Sequence, residues 1–437
     1  MSRLHKRHKI ILLTALVLAM GIAFLGEPIH KVFAVTENTY RNLKIFTHVL
    51  DVVQENYVEE VEPKTLLYGA IKGMLETLDP HSTFMPPEIY KELQVETRGS
   101  FGGLGIEITI RDGVLTVISP IEDTPAARAG VKSGDQIMKI DGESTKNMSL
   151  MDSVKKMRGP KGAKITISIR RKGVPELLDF TITRDIIQIK SVRFRMLDKG
   201  IGYIRLTSFQ EKTAADLRNA MDELIRQAEG KMGGLILDVR NNPGGLLDQA
   251  VEVADAFIES GLVVYTDGRI PSQKMKFKAT KKNTYTGFPL VVIVNNGSAS
   301  ASEIVAGALQ DHHRAVILGT KTFGKGSVQT IIPLEDGSGL RLTTSRYFTP
   351  NGKSIQAVGI KPDIVVEQIE RQEESAVPSK TPHLVRERDL ERHLEPQESE
   401  PEVPKDMEKE QKPEIQDAQL ERALEMLKSW RIFATTM

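Results

Sequence analysis

Residues 290–309 read LVVIVNNGSASASEIVAGAL. Leu290 to Val294 is a short apolar run closed by turn residues, the signature of a buried strand. From Ile304 to Leu309 the apolar spacing is helical. Gly297 to Glu303 therefore occupies a strand-to-helix turn. Such a turn sets side-chain oxygens beside backbone N–H groups that have no intrahelical acceptor. Working outward, the alternation repeats. Ile201–Leu206 reads as a strand and Thr213–Ala228 as an amphipathic helix. Leu235–Val239 is another buried strand, followed by Asn241-Asn242-Pro243-Gly244-Gly245 and a helix over Leu246–Ile258. Ala315–Leu318 adds one more strand. Strands alternating with helices predict crossover units on a sheet with a parallel portion, an α/β core over residues 188–366. Ligands of such sheets gather beyond the carboxyl ends of the strands. The Pro-Gly-Gly loop and the serine turn both fall there.

The turn offers three hydroxyls. Ser298 precedes it, Ser300 lies within it and Ser302 opens the helix. A helix N-terminus suits a developing oxyanion, so Ser300 is best placed as a nucleophile, with the Ala301 N–H as donor. Taken alone, the turn favours three capping and small-packing serines. Thr322-Phe323-Gly324-Lys325-Gly326 changes the balance. The glycines permit close approach, and Phe323 excludes water. Burial lowers a lysine pKa and yields the neutral amine that a general base requires. Gln329 lies four residues on and is placed to hold that amine, or else is a polar residue on an exposed strand face. Gly244, after a buried strand, is a second oxyanion donor or part of a simple turn. Glu303 suits the helix dipole and reads as structural.

Two rival readings fail. Gly319 to Lys325 has the G-x-x-x-x-G-K spacing of a phosphate-binding loop, but Gly326 stands where Ser or Thr must reach magnesium, and β structure follows. His312 and His313 close a helix without a third ligand at convincing spacing, so no metal or other cofactor is expected.

Residues 98–187 read as a β-rich module with two short helices. Strands are expected over Ile106–Ile110, Leu115–Ile118, Ile137–Ile140, Ile165–Arg170 and Leu178–Thr183. Phe101-Gly102-Gly103-Leu104-Gly105-Ile106 opens it. As a dinucleotide fingerprint this lacks a preceding strand and a following helix. As a peptide clamp it is good: N–H groups of Gly103, Leu104, Gly105 and Ile106 bind a terminal carboxylate while the next strand pairs with an extended tail. Residues 36–97 are helical, with Asp79-Pro80 ending the second helix. Residues 367–414, rich in Glu, Lys, Arg, Pro and Gln, read as a charged, solvated or disordered linker without chemistry. Residues 415–437 carry a final amphipathic helix whose apolar face needs a partner, either the N-terminal helices or a second subunit.

Net charge is +1 over 437 residues, which gives no reason to expect nucleic acid. There is no cysteine, so disulfides and thiolate chemistry are excluded. Arg3, Lys6, Arg7 and Lys9 precede an apolar stretch at residues 10–26, so residues 1–35 read as a signal peptide or an uncleaved signal anchor. The remainder is expected to be exported, to a bacterial periplasm or the extracytoplasmic face of the inner membrane.

Three motifs, Ser298–Ile304, Thr322–Gln329 and Asp238–Gly245, together resemble the carboxy-terminal processing (tail-specific) serine proteases, and the module around Gly102–Gly105 resembles their PDZ domain. The resemblance covers about residues 36–366 and the final helix. It implies a crotonase/ClpP-like α/β protease core with an inserted PDZ domain and helical N- and C-terminal segments. It implies Ser300 as nucleophile, Lys325 as general base and Gln329 as the residue orienting the lysine. Gly244 and Ala301 then form the oxyanion hole. It also implies protein substrates with accessible C-termini, a homodimer and a sensor role for Arg158. The 367–414 stretch departs from compact members. A non-catalytic PDZ adaptor on the same scaffold is the alternative function.

Overall fold

A computed structural model describes residues 37–198, 200–367, 386–390, 392–394 and 417–436. The apolar stretch at residues 10–26 and most of the charged linker lie outside the described residues. No helix among the described residues is long and apolar enough to cross a membrane.

The chain divides into two compact units, with the boundary between Ile71 and Lys72. The first unit contains helix α1 (Glu37–Asn56) and the start of α2 (Pro63–Glu76). Leu43, Phe46, Val49 and Val52 recur along α1 at helical spacing and are largely exposed.

The second unit begins with the end of α2. Asp79-Pro80 stops that helix as the sequence predicts. Strand β1 (Thr83–Met85) and helix α3 (Pro87–Arg98) follow, and α3 ends on left-handed Gly99. A ribbon of β2 (Ser100–Gly103) paired with β9 (Asp185–Gln188) closes the β-rich module at its base. Inside the module run β3 (Ile106–Arg111), β4 (Val114–Pro120), α4 (Pro125–Ala129), β5 (Gln136–Ile140), β6 (Glu143–Ser144), α5 (Leu150–Met157), β7 (Lys164–Arg170) and β8 (Leu178–Thr183). The sheet order is β3-β4-β5-β7-β8, so β3 is an edge strand. Leu115, Val117, Ile137, Ile140, Ile165, Ile167 and Ile169 form its core, the inward faces of alternating strands.

The α/β core has two sheets. The first has the order β10-β11-β12-β15-β16-β19. Its strands are β10 (Val192–Asp198), β11 (Ile201–Leu206), β12 (Gly234–Asp238), β15 (Leu290–Val294), β16 (Val316–Gly319) and β19 (Ile364–Val365). All neighbours except β10 and β11 are parallel. Helices α6 (Thr213–Gln227), α7 (Leu247–Asp255) and α8 (Ala301–Asp311) are the crossovers. They cover one face with Leu217, Met221, Val253, Ile304 and Val305, all fully or almost fully buried. The other face is covered by α9 (Ala418–Thr436), whose Ala423 and Leu427 pack on Ile236, Val291, Ile293 and Leu318. The amphipathic C-terminal helix thus finds its apolar partner in its own chain. A parallel sheet buried on both faces explains why Leu235–Leu237 and Leu290–Val294 are apolar without alternation.

The second sheet was not legible as a unit. Its strands are β13 (Gly261–Gly268), β14 (Lys276–Ala279), β17 (Ser327–Pro333) and β18 (Gly339–Phe348), with β1 added at one end. Only the β character of Gly326–Leu334 was read. The pairings of β18 with both β1 and β17 are long-range or irregular in register, which periodicity does not reveal.

Candidate active site

Strands β12, β15 and β16 are parallel neighbours, with Asp238 beside Ile293 and Val294 beside Gly319. Their carboxyl ends therefore lie side by side. The three turns that follow them, carrying Gly244, Ser300 and Lys325, are brought together for that reason alone.

The serines separate by environment. Ser298 is fully buried and its hydroxyl donates to Val239 O at 2.8 Å. Ser302 is also fully buried and donates to Asn242 O at 2.9 Å. Both are ties between the serine turn and the Pro-Gly-Gly loop. Ser300 is half-buried and has φ 54°, ψ −111°. A non-glycine residue in that region costs about 1–3 kcal/mol and persists only where its surroundings enforce it. Here Ser300 N–H donates to Glu303 Oε2 at 2.8 Å. The Ser300 hydroxyl makes no side-chain cap to α8, while those of Ser298 and Ser302 are engaged by the adjoining loop.

Gly244 meets this turn directly. A Cβ at Gly244 would lie 2.9 Å from Ser300 Cβ and 3.1 Å from Ala301 N, and its φ is 104°. Only glycine brings backbone so near the serine. Its N–H donates to Asn242 Oδ1 at 2.9 Å, so this donor is engaged within its own loop. Asn242, fully buried, also donates to Leu206 O. The loop starts from a buried ionic cluster. Arg240 donates to Asp238 and Asp417, and Tyr203 donates to Asp238 Oδ2 at 2.7 Å. Burial, with Asp238 beside it, pushes the Tyr203 hydroxyl up to about 12.

Lys325 is half-buried. Desolvation and the like charge of Arg341 lower its pKa from the ordinary lysine value; Glu387, Glu303 and Asp79 oppose that shift. Its turn is joined to the serine turn through Phe323 N–H, which donates to Ser298 O at 3.1 Å. Glu303 makes the strongest link. Fully buried, it accepts from Thr322 Oγ1 at 2.6 Å, Gly324 N at 2.8 Å and Lys325 N at 2.9 Å, besides Ser300 N. Burial pushes its carboxyl up to about 7, against four donors that favour the anion. The structural role read for Glu303 is therefore larger than helix capping: one carboxylate spans both turns. Its signal was a Ser-x-x-Glu spacing at the helix start.

Gln329 lies on β17 but donates to Ser327 Oγ at 2.8 Å and Thr343 Oγ1 at 3.4 Å. Among the described residues no hydrogen bond joins Lys325 Nζ to Gln329 or to Ser300 Oγ. Thr343 Oγ1 in turn donates to Asp79, which also accepts from His81 N and from both N–H and hydroxyl of Ser82. Asp79 and His81 were missed because they reach the site through the pairing of β1 with β18, and Thr343 because it meets Gln329 through the irregular register of β17 on β18.

In the β-rich module Gly103 ends β2 and Ile106 opens the edge strand β3, so the glycine clamp and an unpaired strand edge adjoin. Leu104 is buried, and its C=O accepts from Ala126 N. Arg158, at the end of α5, forms an ion pair with Glu92 of α3 and lies 4.8 Å from the Phe101 ring centroid. His312 Nε2–H donates to Leu262 O at 2.7 Å. No cluster able to hold a metal is present among the described residues.

Residues 200–366 match the model of peptidase family S41, residues 92–170 a PDZ domain, and residues 27–89 the N-terminal domain of the activating protease CtpB. A carboxy-terminal-processing protease of Bartonella bacilliformis is 51% identical over 76% of this chain and 76% of its own length. The chain belongs to the carboxy-terminal processing protease family. Its members are serine peptidases, and this chain is a peptidase of that type with a PDZ domain. The carboxy-terminal processing protease CtpA of Bacillus subtilis is 39% identical, over 72% of this chain and 67% of that protein. Among solved structures, the photosystem II D1 C-terminal processing protease is 33% identical, covers 74% of this chain and 92% of its own, and has a TM-score of 0.44.

Proposed function

We propose that this carboxy-terminal processing protease works as an exported endopeptidase with a Ser300–Lys325 dyad, on a crotonase/ClpP-like core. The observation that carries the proposal is the meeting of three turns. A strained, half-exposed Ser300 sits against Gly244 and Ala301 N–H, and Glu303 ties its turn to that of a desolvated Lys325.

The neutral amine of Lys325 takes the proton from Ser300 Oγ as oxygen attacks the scissile carbonyl carbon. Negative charge moves to the carbonyl oxygen. Ala301 N–H, at the free start of α8, and Gly244 N–H, turned from Asn242, stabilise it. Collapse of the tetrahedral adduct breaks the C–N bond, and the Lys325 ammonium returns its proton to the leaving amine. Lys325 then deprotonates water to hydrolyse the acyl-enzyme. The dyad contact closes when substrate fills the site, since catalytic hydrogen bonds tighten in the Michaelis complex. With its donor end held by Ser327 and Thr343, Gln329 keeps its carbonyl oxygen for the lysine.

Substrate enters by its C-terminus. The N–H groups of Gly103, Leu104, Gly105 and Ile106 take the carboxylate, and the tail adds to the open edge of β3 beside α5. Arg158 reports that occupancy to α3 through Glu92. Residues 10–26 hold the enzyme at the extracytoplasmic side of a bacterial inner membrane, and the exposed face of α1 contributes to a homodimer.

The test is hydrolysis of an unstructured protein by the full chain, with Ser300→Ala and Lys325→Ala alongside. Both variants are expected to lose on the order of 10⁴-fold or more in rate. Cleavage by either at the unsubstituted rate would sink the dyad, and tail binding without cleavage by the unsubstituted chain would favour the adaptor reading. Amidating the substrate's C-terminus is expected to raise KM.

A further inference from the structure

The charged stretch 367–414 has a described island, residues 386–390, and within it Glu387 is fully buried. A carboxylate is almost never fully buried without partners. The partners of Glu387 all belong to the neighbourhood of the lysine turn. His81 Nε2 lies 2.7 Å from Oε1 and 2.8 Å from Oε2. Gln356 Nε2 donates to Oε1 at 2.9 Å. The Glu387 backbone N–H donates to Phe323 O at 3.3 Å.

Gln356 extends this hold. It is fully buried, and its Oε1 accepts from Gly326 N–H at 3.0 Å. A Cβ at Gly326 would come 2.2 Å from Gln356 N, so the approach is available to glycine only. Phe323 and Gly326 flank Gly324-Lys325. Residue 387 thus holds one end of the turn directly and the other end through Gln356. Glu303 grips the same turn from α8 by Gly324 N and Lys325 N. Lys325 is suspended between two buried carboxylates, one from the peptidase helix and one from the charged insertion.

We propose that Glu387 is a positioning residue for Lys325, and that residues 386–390 are a strap by which the insertion completes the base turn. The proposal rests on the Ser300–Lys325 reading. The strap acts in two ways. It fixes the backbone from Phe323 to Gly326, and its charge faces the lysine. The other charges facing Lys325 are Glu303 from α8, Asp79 from the segment before β1, and Arg341 from β18, the last of like sign. His81, also from the segment before β1, faces Glu387 itself.

The experiment compares Glu387→Ala and Glu387→Gln with the unsubstituted full chain, using peptide hydrolysis across pH, thermal unfolding and Lys325→Ala as a control. Glu387→Ala is expected to lower kcat on the order of 100-fold, the effect of a misplaced catalytic group, with KM little changed. Glu387→Gln keeps the shape and removes the charge. It is expected to recover most of kcat and to move the acid limb of kcat/KM to lower pH, because a charge favouring the ammonium is gone. A merely structural contact would lower the unfolding temperature and leave that limb in place. If Glu387→Ala does not fold, Glu387→Gln decides. A folded Glu387→Gln with unchanged kcat and an unchanged acid limb overturns the strap. An active Lys325→Ala overturns the dyad instead, so the two failures are distinct.

Discussion

The serine turn and the lysine turn stand next to each other on parallel strands, but they are held in opposite ways. The serine turn is fixed by its neighbours in the sheet. Ser298 and Ser302 tie it to Val239 and Asn242 in the adjoining loop, and Glu303, three residues on, holds Ser300 N–H. The lysine turn takes its partners from three separate segments: Glu303 of α8, Gln356 beyond β18, and Glu387 of the charged stretch. On the proposed reading, the nucleophile is held at the carboxyl edge of its own sheet, by the loop after β12 and by the first turn of α8, whereas the base is held by three separate segments. The difference places the adjustable half of the proposed machinery at Lys325.

Glu303 is where the two turns share one support, so its loss has the largest expected effect. Glu303→Ala leaves four donors without their acceptor, at about 1–3 kcal/mol for each buried group that water does not reach. Activity is expected to drop by on the order of 100-fold or more, with a clear fall in unfolding temperature. Peptide hydrolysis and calorimetry on the same preparation check this. Near-normal activity would break the idea of a shared support.

Gly244→Ala probes the serine side alone. The new methyl meets Ala299 O and Ser300 Cβ at 2.9 Å, at a φ that an L side chain resists. The expected loss is on the order of 10²-fold, the scale for one oxyanion donor. Reactivity of Lys325 towards an amine reagent should stay unchanged. A change there would show that the turns are coupled more tightly than their separate supports imply.

The smallest expected effect concerns the lysine side and is a matter of pH. Lys325 has its folded pKa below the unfolded 10.5. The folded state therefore binds fewer protons than the unfolded state between those values, and this group's contribution to stability grows as pH rises through that window. Below the window, the desolvation of Lys325 opposes folding. Lys325→Met is thus expected to be inactive yet more heat-resistant at neutral pH, with the advantage shrinking towards pH 10.5. Calorimetric scans of both proteins across pH test the sign. In the active enzyme, kcat/KM should climb along an acid limb centred below 10.5.

Much of this was legible before any coordinates. The apolar runs at 235–239 and 290–294 mark buried parallel strands, and the residues after them fall at the carboxyl ends. Ser300 stands out among three serines only in part, because a turn alone does not tell a cap from a nucleophile. Its positive φ, and the full burial of Ser298 and Ser302, support the proposed choice. What escaped depends on contacts without a local pattern. Asp79 and His81 come close through β1 pairing with β18. Gln329 keeps company with Ser327 and Thr343 because of a register shift within β17. Glu387 lies in a charged stretch whose composition argues for solvent, and only its partners give the burial a reason. The final helix showed an apolar face, but its Ala423 and Leu427 are received by the parallel sheet, a surface other than the N-terminal helices or second subunit expected for it.

That helix has a consequence for timing. Ile236, Val291, Ile293 and Leu318 look out from the sheet on the side away from α6, α7 and α8, and Ala423 and Leu427 cover them. Arg240, at the root of the Gly244 loop, is clasped by Asp417 at the start of the same helix. A growing chain therefore carries Ser300 and Lys325 for about a hundred residues of synthesis with one face of their sheet bare. The residues of the proposed dyad are made before the helix that covers their sheet and clasps the root of the Gly244 loop.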